Sequence, residues 1–542
     1  MNLLDLPYPS QRMPTVARRG VVATSQPLAA LAGLEILQAG GNALDAALAT
    51  ATTLAVVEPT SNGLGSDAFA LVWDGAKLHG LNGSGRAPAA LTAEIVRAAG
   101  HSTMPTHGWH PVTVPGAPRA WRDLHERFGR LDFQRVLAPA IAAAEGGYAV
   151  TPIVAAAWQT AARSYARERG PEFAPWFDTF TVDGRAPQPG DVWRLPYHAR
   201  TLRRIAESKS LDYYEGETAR RIAAFASDTG GFITDDDLAT HTSTWVEPIT
   251  TSYRGYDVWE IPPNGQGVAA LLALNIIEGF DLASLRRESV DAYHLQIEAM
   301  KLAFADAYRY VADPEQVTVP TAGMLSKAYA AERRALIDDL ARAREPGDPP
   351  RGGTVYLCTA DADGMMVSYI QSNYQGFGSG VAVPGTGISL QNRGACFRLE
   401  PDHPNVLAPG KRPFHTIIPS FLTRDGQPVG PFGVMGGPMQ PQGHLQMVLN
   451  TVDWGMNPQA SLDAPRWQVT TGRQVMVEPE VPAPIVEELT RRGHEVNVVG
   501  ERAPFGRGQI IWRRGIWEEP ANGVPSLIAG SDKRSDGLAI GY

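Results

Sequence analysis

Two cysteines in 542 residues, Cys358 and Cys396, are too few for a disulfide scaffold, and neither sits in a C-x-x-C spacing. No lysine- or arginine-rich run interrupts a chain of formal charge -9, so nucleic-acid phosphates would meet no basic footprint. Long apolar runs are also missing. The longest, around Ala43 to Val57, is broken by Asp45 and several threonines and falls short of a membrane span. The opening stretch, Met1 to Ser10, has no basic leader followed by an apolar core, which predicts a cytoplasmic protein.

Several catalytic signatures are absent as well. No G-x-S-x-G occurs, which argues against an α/β-hydrolase, and no H-E-x-x-H, which argues against a zincin. Pro262-Pro-Asn-Gly-Gln-Gly267 is only superficially like a phosphate cradle, because the spacing of a dinucleotide or P-loop motif is missing. His101, His107 and His110 cluster in a loop without zinc-site spacing, so no metal is predicted, and nothing implies a cofactor. There is no internal repeat.

What is present is an ordinary globular composition, 44% hydrophobic and 19% charged. Leu28, Leu31, Leu34 and Leu37 recur every three residues and mark a helical face that Gly40-Gly41 ends. Asn42 is a plausible cap for a second, alanine-rich helix to about Val57. Further helices are expected over 137–146, 152–168, 268–279, 290–311, 445–449 and 483–492, and Thr234 caps an acidic first turn. Strands are expected over 256–261, 365–372, 387–391, 416–422 and 429–434. Strands and helices alternating in both halves predict a layered α/β architecture.

The composition breaks once, at 341–351, before Arg351-Gly-Gly-Thr-Val-Tyr-Leu-Cys-Thr359. Read locally, this is a linker entering a hairpin. Were the chain cut between Gly353 and Thr354, however, Thr354 would carry a hydroxyl nucleophile and a free α-amine on one residue. Cys358, mid-strand, is a weaker nucleophile candidate, since such a thiol is more often buried and inert.

Several stretches together resemble the γ-glutamyltransferase family of N-terminal-nucleophile (Ntn) hydrolases. They are Pro27 to Ala47, Val57 to Gly65, Val112 to Gly116, Thr354 with Asp363-Gly364, Lys411-Arg-Pro413, Gly436-Gly437 and Ser535-Asp-Gly537. The likeness runs from about Gly20 to Tyr542, nearly the whole chain. It implies one precursor that cuts itself before Thr354 into a large subunit, 1–353, and a small one, 354–542, held together as a heterodimer, with a dimer of these as a further option, in an αββα sandwich. It also implies Thr354 as nucleophile, Ser372 as its hydroxyl partner, and the N–H groups of Gly436 and Gly437 as oxyanion donors.

The substrate positions depart from the pattern of glutathione-cleaving members, which use an Asn, a Gln, an Asp and two adjacent serines. The corresponding residues here are Tyr374 (Asn373 if the register slips by one), Arg393, Cys396 and His415-Thr416. Cys396 cannot replace an aspartate as partner for an ammonium, whereas Arg393 suits a carboxylate. Arg86 lies near the family's carboxylate-binding arginine, offset by two residues. These features resemble the oxamate amidohydrolase and dicarboxylic-acyl acylase branch. The leading expectation is a self-processing amidohydrolase for a small amide with a carboxylate-bearing acyl group. A γ-glutamyl hydrolase or transpeptidase is the alternative within the family, and an uncleaved scaffold the alternative outside it.

Overall fold

A computed structural model describes residues 12–344, 353–515 and 524–542. At its centre are two antiparallel sheets of seven strands each. One runs Leu538–Gly541, Gly20–Thr24, Gly353–Asp361, Met366–Tyr374, Asp67–Trp73, Leu78–Gly83, Thr244–Val246. The other runs Thr15–Ala17, Leu527–Ser531, Arg507–Arg513, Gln427–Met435, Ser420–Arg424, Tyr256–Glu260, Ile249–Tyr253.

Period-two alternation explains the layering. In Gly353–Asp361, Val355 and Leu357 pack into the helical layer, while Tyr356, Cys358 and Ala360 fill the seam between the sheets. Its hairpin partner Met366–Tyr374 divides the same way, with Val367 and Tyr369 outward and Met366 and Ile370 inward. Gly433 of the facing sheet is needed where Tyr356 crosses it, since a Cβ there would stand 2.6 Å from the ring. A second helical layer, built on Gly267–Ile277, Val290–Tyr310 and Met439–Val452, covers the other sheet and completes the expected αββα sandwich. Strands from before and after residue 354 adjoin in both sheets, so the two halves could part only by tearing sheets apart. Among the described residues no helix is long and apolar enough to cross a membrane.

The first two helices form as expected, over Pro27–Gln38 and Ala43–Val57, the second with a reciprocal capping box between Asn42 and Asp45. Of the leucine stripe on the first, only Leu37 is buried. Leu28 and Leu31 are 37% and 44% exposed, whereas Ala29, Ala30, Ala32 and Gly33 are buried. The reason is the close helix–helix approach: a Cβ on Gly33 would stand 2.3 Å from Thr50 Oγ1, so small residues make the contact. Two expected strands also differ. Residues 387–391 make only isolated bridges, at Ser389 and Leu390, because Gly385 and Gly387 turn the chain with positive φ. Of 416–422, only the end joins a strand, Ser420–Arg424; the rest is committed to loop contacts described below.

Candidate active site

Thr354 is the second residue of the third strand of its sheet, Gly353–Asp361, and is 1% exposed. Arg351 and Gly352, which precede it in the motif, lie outside the described residues. A bulge in the hairpin register brings the Thr354 hydroxyl to 3.2 Å from Ser372 Oγ on the neighbouring strand. Ser372 Oγ also accepts the Tyr374 backbone N–H at 2.7 Å and Arg393 Nη2 at 3.1 Å. Tyr374 holds a left-handed φ of 79°, uncommon for a side-chain-bearing residue, and this folds its N–H back onto Ser372.

Arg393 is the centre of charge. It is fully buried, donates Nη1 to Thr416 Oγ1 at 2.7 Å, and lies 4.4 Å from the centroid of the Tyr374 ring. Its Nε has no hydrogen-bond partner, and no carboxylate among the described residues lies within ion-pair distance of it. The nearby acid, Asp67, is spent elsewhere: it accepts from Gln391 at 2.8 Å and the Gly85 N–H at 2.9 Å, and faces His415 Nε2 at 3.0 Å. The Ile417 N–H points at His415 Nδ1, 3.3 Å away, which places the ring proton on Nε2, toward Asp67. Burial pushes Asp67 up to about 7 and His415 well below its usual range. Cys396 beside Tyr374 is a protonated thiol at neutral pH, because burial raises it. Cys358 is likewise buried and raised, as expected of an inert mid-strand cysteine.

Gly436 and Gly437 follow the strand Gln427–Met435 with φ of 128° and 62°, a turn that suits residues without a Cβ. Among the described residues no acceptor takes either N–H. The turn opens the helix Met439–Val452, whose N-terminal dipole favours an anion. Gln266 Nε2 ties this turn to the arginine end of the site, donating to Gly437 O at 2.9 Å and Thr416 O at 2.6 Å.

The structure thus joins Thr354, Ser372, Tyr374, Arg393, Thr416 and Gly437 in one hydrogen-bonded chain. His415 adjoins it, but both ring nitrogens face protein partners. Asn373 turns the other way, its Oδ1 accepting from Ser66 at 2.8 Å. Arg86 is tied to Glu315 at 2.7 Å and Asp313 at 3.6 Å, and no hydrogen bond links it to the Thr354 group. Asp67 and Gln266 are organising residues that the sequence reading missed. Asp67 had a legible signal, an acid opening the apolar run Asp67–Trp73. Gln266 lies in the very loop dismissed as a phosphate cradle.

A family model described as gamma-glutamyltranspeptidase matches residues 29–542. The chain is 36% identical to the glutathione hydrolase-like YwrD proenzyme of Bacillus subtilis (strain 168), covering 97% of this chain and 99% of that protein. It is 33% identical to the oxamate amidohydrolase proenzyme of Klebsiella pneumoniae, covering 97% and 99%. The crystal structure of cephalosporin acylase from Bacillus halodurans superposes with a TM-score of 0.95 at 57% identity, covering 99% of this chain and 98% of that one. This chain belongs to the gamma-glutamyltranspeptidase family of self-cleaving Ntn hydrolases.

Proposed function

We infer that the mature enzyme hydrolyses a small amide whose acyl part carries a carboxylate, of the oxamate or dicarboxylic type, through an ester on Thr354. The observation that carries this reading is the buried Arg393 guanidinium with no carboxylate within ion-pair distance among the described residues. An unpaired buried charge costs several kcal/mol, and an incoming carboxylate would offset that cost while forming the planar, two-pronged pair that arginine favours. The counter-anion expected of an α-amino substrate is missing too, since Cys396 stays a neutral thiol.

Maturation in this reading cuts between Gly353 and Thr354, leaving subunits 1–353 and 354–542. The freed α-amine, with an ordinary pKa of about 7.7 to 8.0, is partly neutral at physiological pH and takes the Thr354 hydroxyl proton directly or through a water. The Thr354 oxygen attacks the amide carbonyl, and the Gly436 and Gly437 N–H groups receive the tetrahedral oxyanion. The proton passes to the departing amine, and water then releases the acid from the ester.

The names of two relatives, oxamate amidohydrolase and cephalosporin acylase, fit such acyl groups. The glutathione hydrolase-like relative keeps a γ-glutamyl reading in play. Comparing kcat/KM for oxamate, glutaryl anilide and γ-glutamyl anilide separates them. Preference for the first two supports the carboxylate reading. Preference for the γ-glutamyl compound, with acceleration by glycylglycine, overturns it.

A further inference from the structure

Thr416 is the joint between the two ends of the site. Its hydroxyl accepts from Arg393 Nη1 at 2.7 Å, and its carbonyl accepts from Gln266 Nε2 at 2.6 Å. The same Nε2 donates to Gly437 O at 2.9 Å, so one nitrogen ties the loop that carries the arginine to the oxyanion turn. These contacts fix which way the amide faces, since turning it over would press Oε1 against two carbonyl oxygens. Oε1 therefore points away from both, buried and without a hydrogen-bond partner among the described residues. Gln266 also stands at the N-cap of Gly267–Ile277, yet its side chain makes no capping bond there. A fully buried side chain that leaves its acceptor unpaired and forgoes the local cap is held in place by its two donor contacts. Its backbone is pinned as well: the Gln266 N–H donates to His415 O at 2.9 Å, and the His415 N–H to Asn264 O at 2.8 Å.

We propose that Gln266 is a positioning residue that fixes the length of acyl chain the enzyme accepts, by holding the carboxylate anchor at a set distance from the oxyanion turn. The inference rests on the carboxylate reading above, in which Arg393 takes the far carboxylate while the Gly436 and Gly437 N–H groups take the reacting oxygen. Both ends of the acyl group are then gripped at once. A chain one methylene short leaves a gap at one end, and a chain too long buckles or draws the carbonyl away from the Thr354 oxygen. Such a mismatch is worth about 10- to 200-fold in kcat/KM, provided the spacing is rigid. The Ile418 N–H donates to Gln440 Oε1 at 2.9 Å, two residues beyond Thr416, so the loop stays attached to the helix Met439–Val452 without Gln266. Loss of the Gln266 amide thus loosens the spacing rather than the loop.

The test is kcat/KM per matured enzyme for oxalyl, succinyl, glutaryl and adipyl anilide, which share one leaving group and differ only in acyl length. Wild type should favour one length over its neighbours by about tenfold or more. Gln266→Met, similar in reach but without donors, should lower the best substrate about ten- to a hundredfold and change the neighbouring lengths less than about threefold, flattening the profile. A loss of equal size at every length, an unchanged profile, or a wild-type profile that is already flat overturns the proposal. Wild-type preference for γ-glutamyl anilide over the whole series sinks the carboxylate reading instead. The length test then moves to γ-glutamyl against β-aspartyl anilide, where a ratio that collapses in Gln266→Met supports the proposal and a preserved ratio overturns it. Should Gln266→Met fail to mature or to unfold cooperatively, Gln266→Asn decides by the same criterion, because asparagine is favoured at an N-cap but is too short to reach both carbonyls.

Discussion

Two groups of buried arginines in this molecule solve the same electrostatic problem in opposite ways. Arg466 and Arg534, each at most 2% exposed, share Asp532 and Glu478: Arg466 pairs with Asp532 at 2.6 Å, and Arg534 pairs with Asp532 at 3.1 Å and with Glu478. Further Nη donors reach the carbonyls of Leu462, Ala464 and Phe505, while Arg466 Nε, like Arg393 Nε, has no hydrogen-bond partner. Two cations meet two anions, and the cluster locks the Ser531–Arg534 segment against the loop behind the Gly436 turn. Arg393, equally buried, has hydroxyls and an aromatic face but, among the described residues, no acid within ion-pair distance. A charge the fold alone required would have been neutralised within the fold, as it is at Arg534. In the proposed reading, a cation without an ion-pair partner in the interior is left for the carboxylate of the substrate.

The largest expected effect asks whether Arg393 borders a reaction centre at all. Thr354→Ala should leave one full-length band on a denaturing gel and lower amide turnover by about a millionfold, the scale seen when a covalent nucleophile is removed, with unfolding by urea unchanged. Two bands dividing near residue 353 in this variant would mean that another group makes the cut.

The comparison itself is broken or upheld by two matched substitutions. Arg534→Met leaves Glu478 without its cation and Asp532 with Arg466 alone, and should cost about 3 to 5 kcal/mol in urea unfolding. Arg393→Met strands no carboxylate and should leave stability unchanged or improved, while abolishing selectivity for carboxylate-bearing amides. Equal destabilisation by both would place Arg393 among the structural charges.

A smaller effect concerns the acid that stands near Arg393 without pairing with it. Burial raises Asp67 to about 7 and depresses His415. Asp67's contribution to stability is complete below its unfolded pKa near 4 and is lost as pH rises toward 7; that of His415 is present above about 6.5 and lost as pH falls below it. Between about pH 4 and 6.5 the folded pair and the unfolded pair each hold one proton, so the two dependences cancel. Asp67→Asn removes the cancellation and leaves His415 neutral in the fold but protonated when unfolded. Its stability relative to wild type should therefore fall by about 1.4 kcal/mol per pH unit below 6.5. A pH-independent difference would show that the two side chains do not share a proton.

How much of this was legible beforehand differs between fold and site. Helix ends announced by Asn42 and Thr234 formed where their caps stand, because capping is local chemistry. The leucine stripe marked the helix but not its buried face, because which face is buried depends on how closely two helices approach, and that distance is set by Gly33 against Thr50. At the site, the likeness of motifs singled out Thr354, Ser372 and Gly436-Gly437, and the structure brings the hydroxyl pair into contact and leaves both glycine N–H groups without an acceptor among the described residues. The bonds of Asp67 to His415 and of Gln266 to Gly437 span 348 and 171 residues. No periodicity encodes such pairings, which only tertiary contact creates.

The smallest expected effect concerns Arg86, whose position in the sequence suggested a carboxylate ligand and whose partners suggest an ion pair at the edge of the site. Its side chain is 30% exposed, and Glu315, 47% exposed, bridges it to Arg412. An exposed pair of this kind contributes about 0 to 1 kcal/mol, so Arg86→Ala should lower stability by less than about 1 kcal/mol and change kcat/KM only a few-fold, equally for carboxylate-bearing and neutral amides. The substrate comparison is the decisive part, because loss of a direct carboxylate contact would act on one substrate class and spare the other. A tenfold or greater rise in KM confined to the carboxylate class would make Arg86 a second anchor. The molecule would then hold two cations for the incoming anion, one buried and unpaired, the other released from Glu315 when substrate binds.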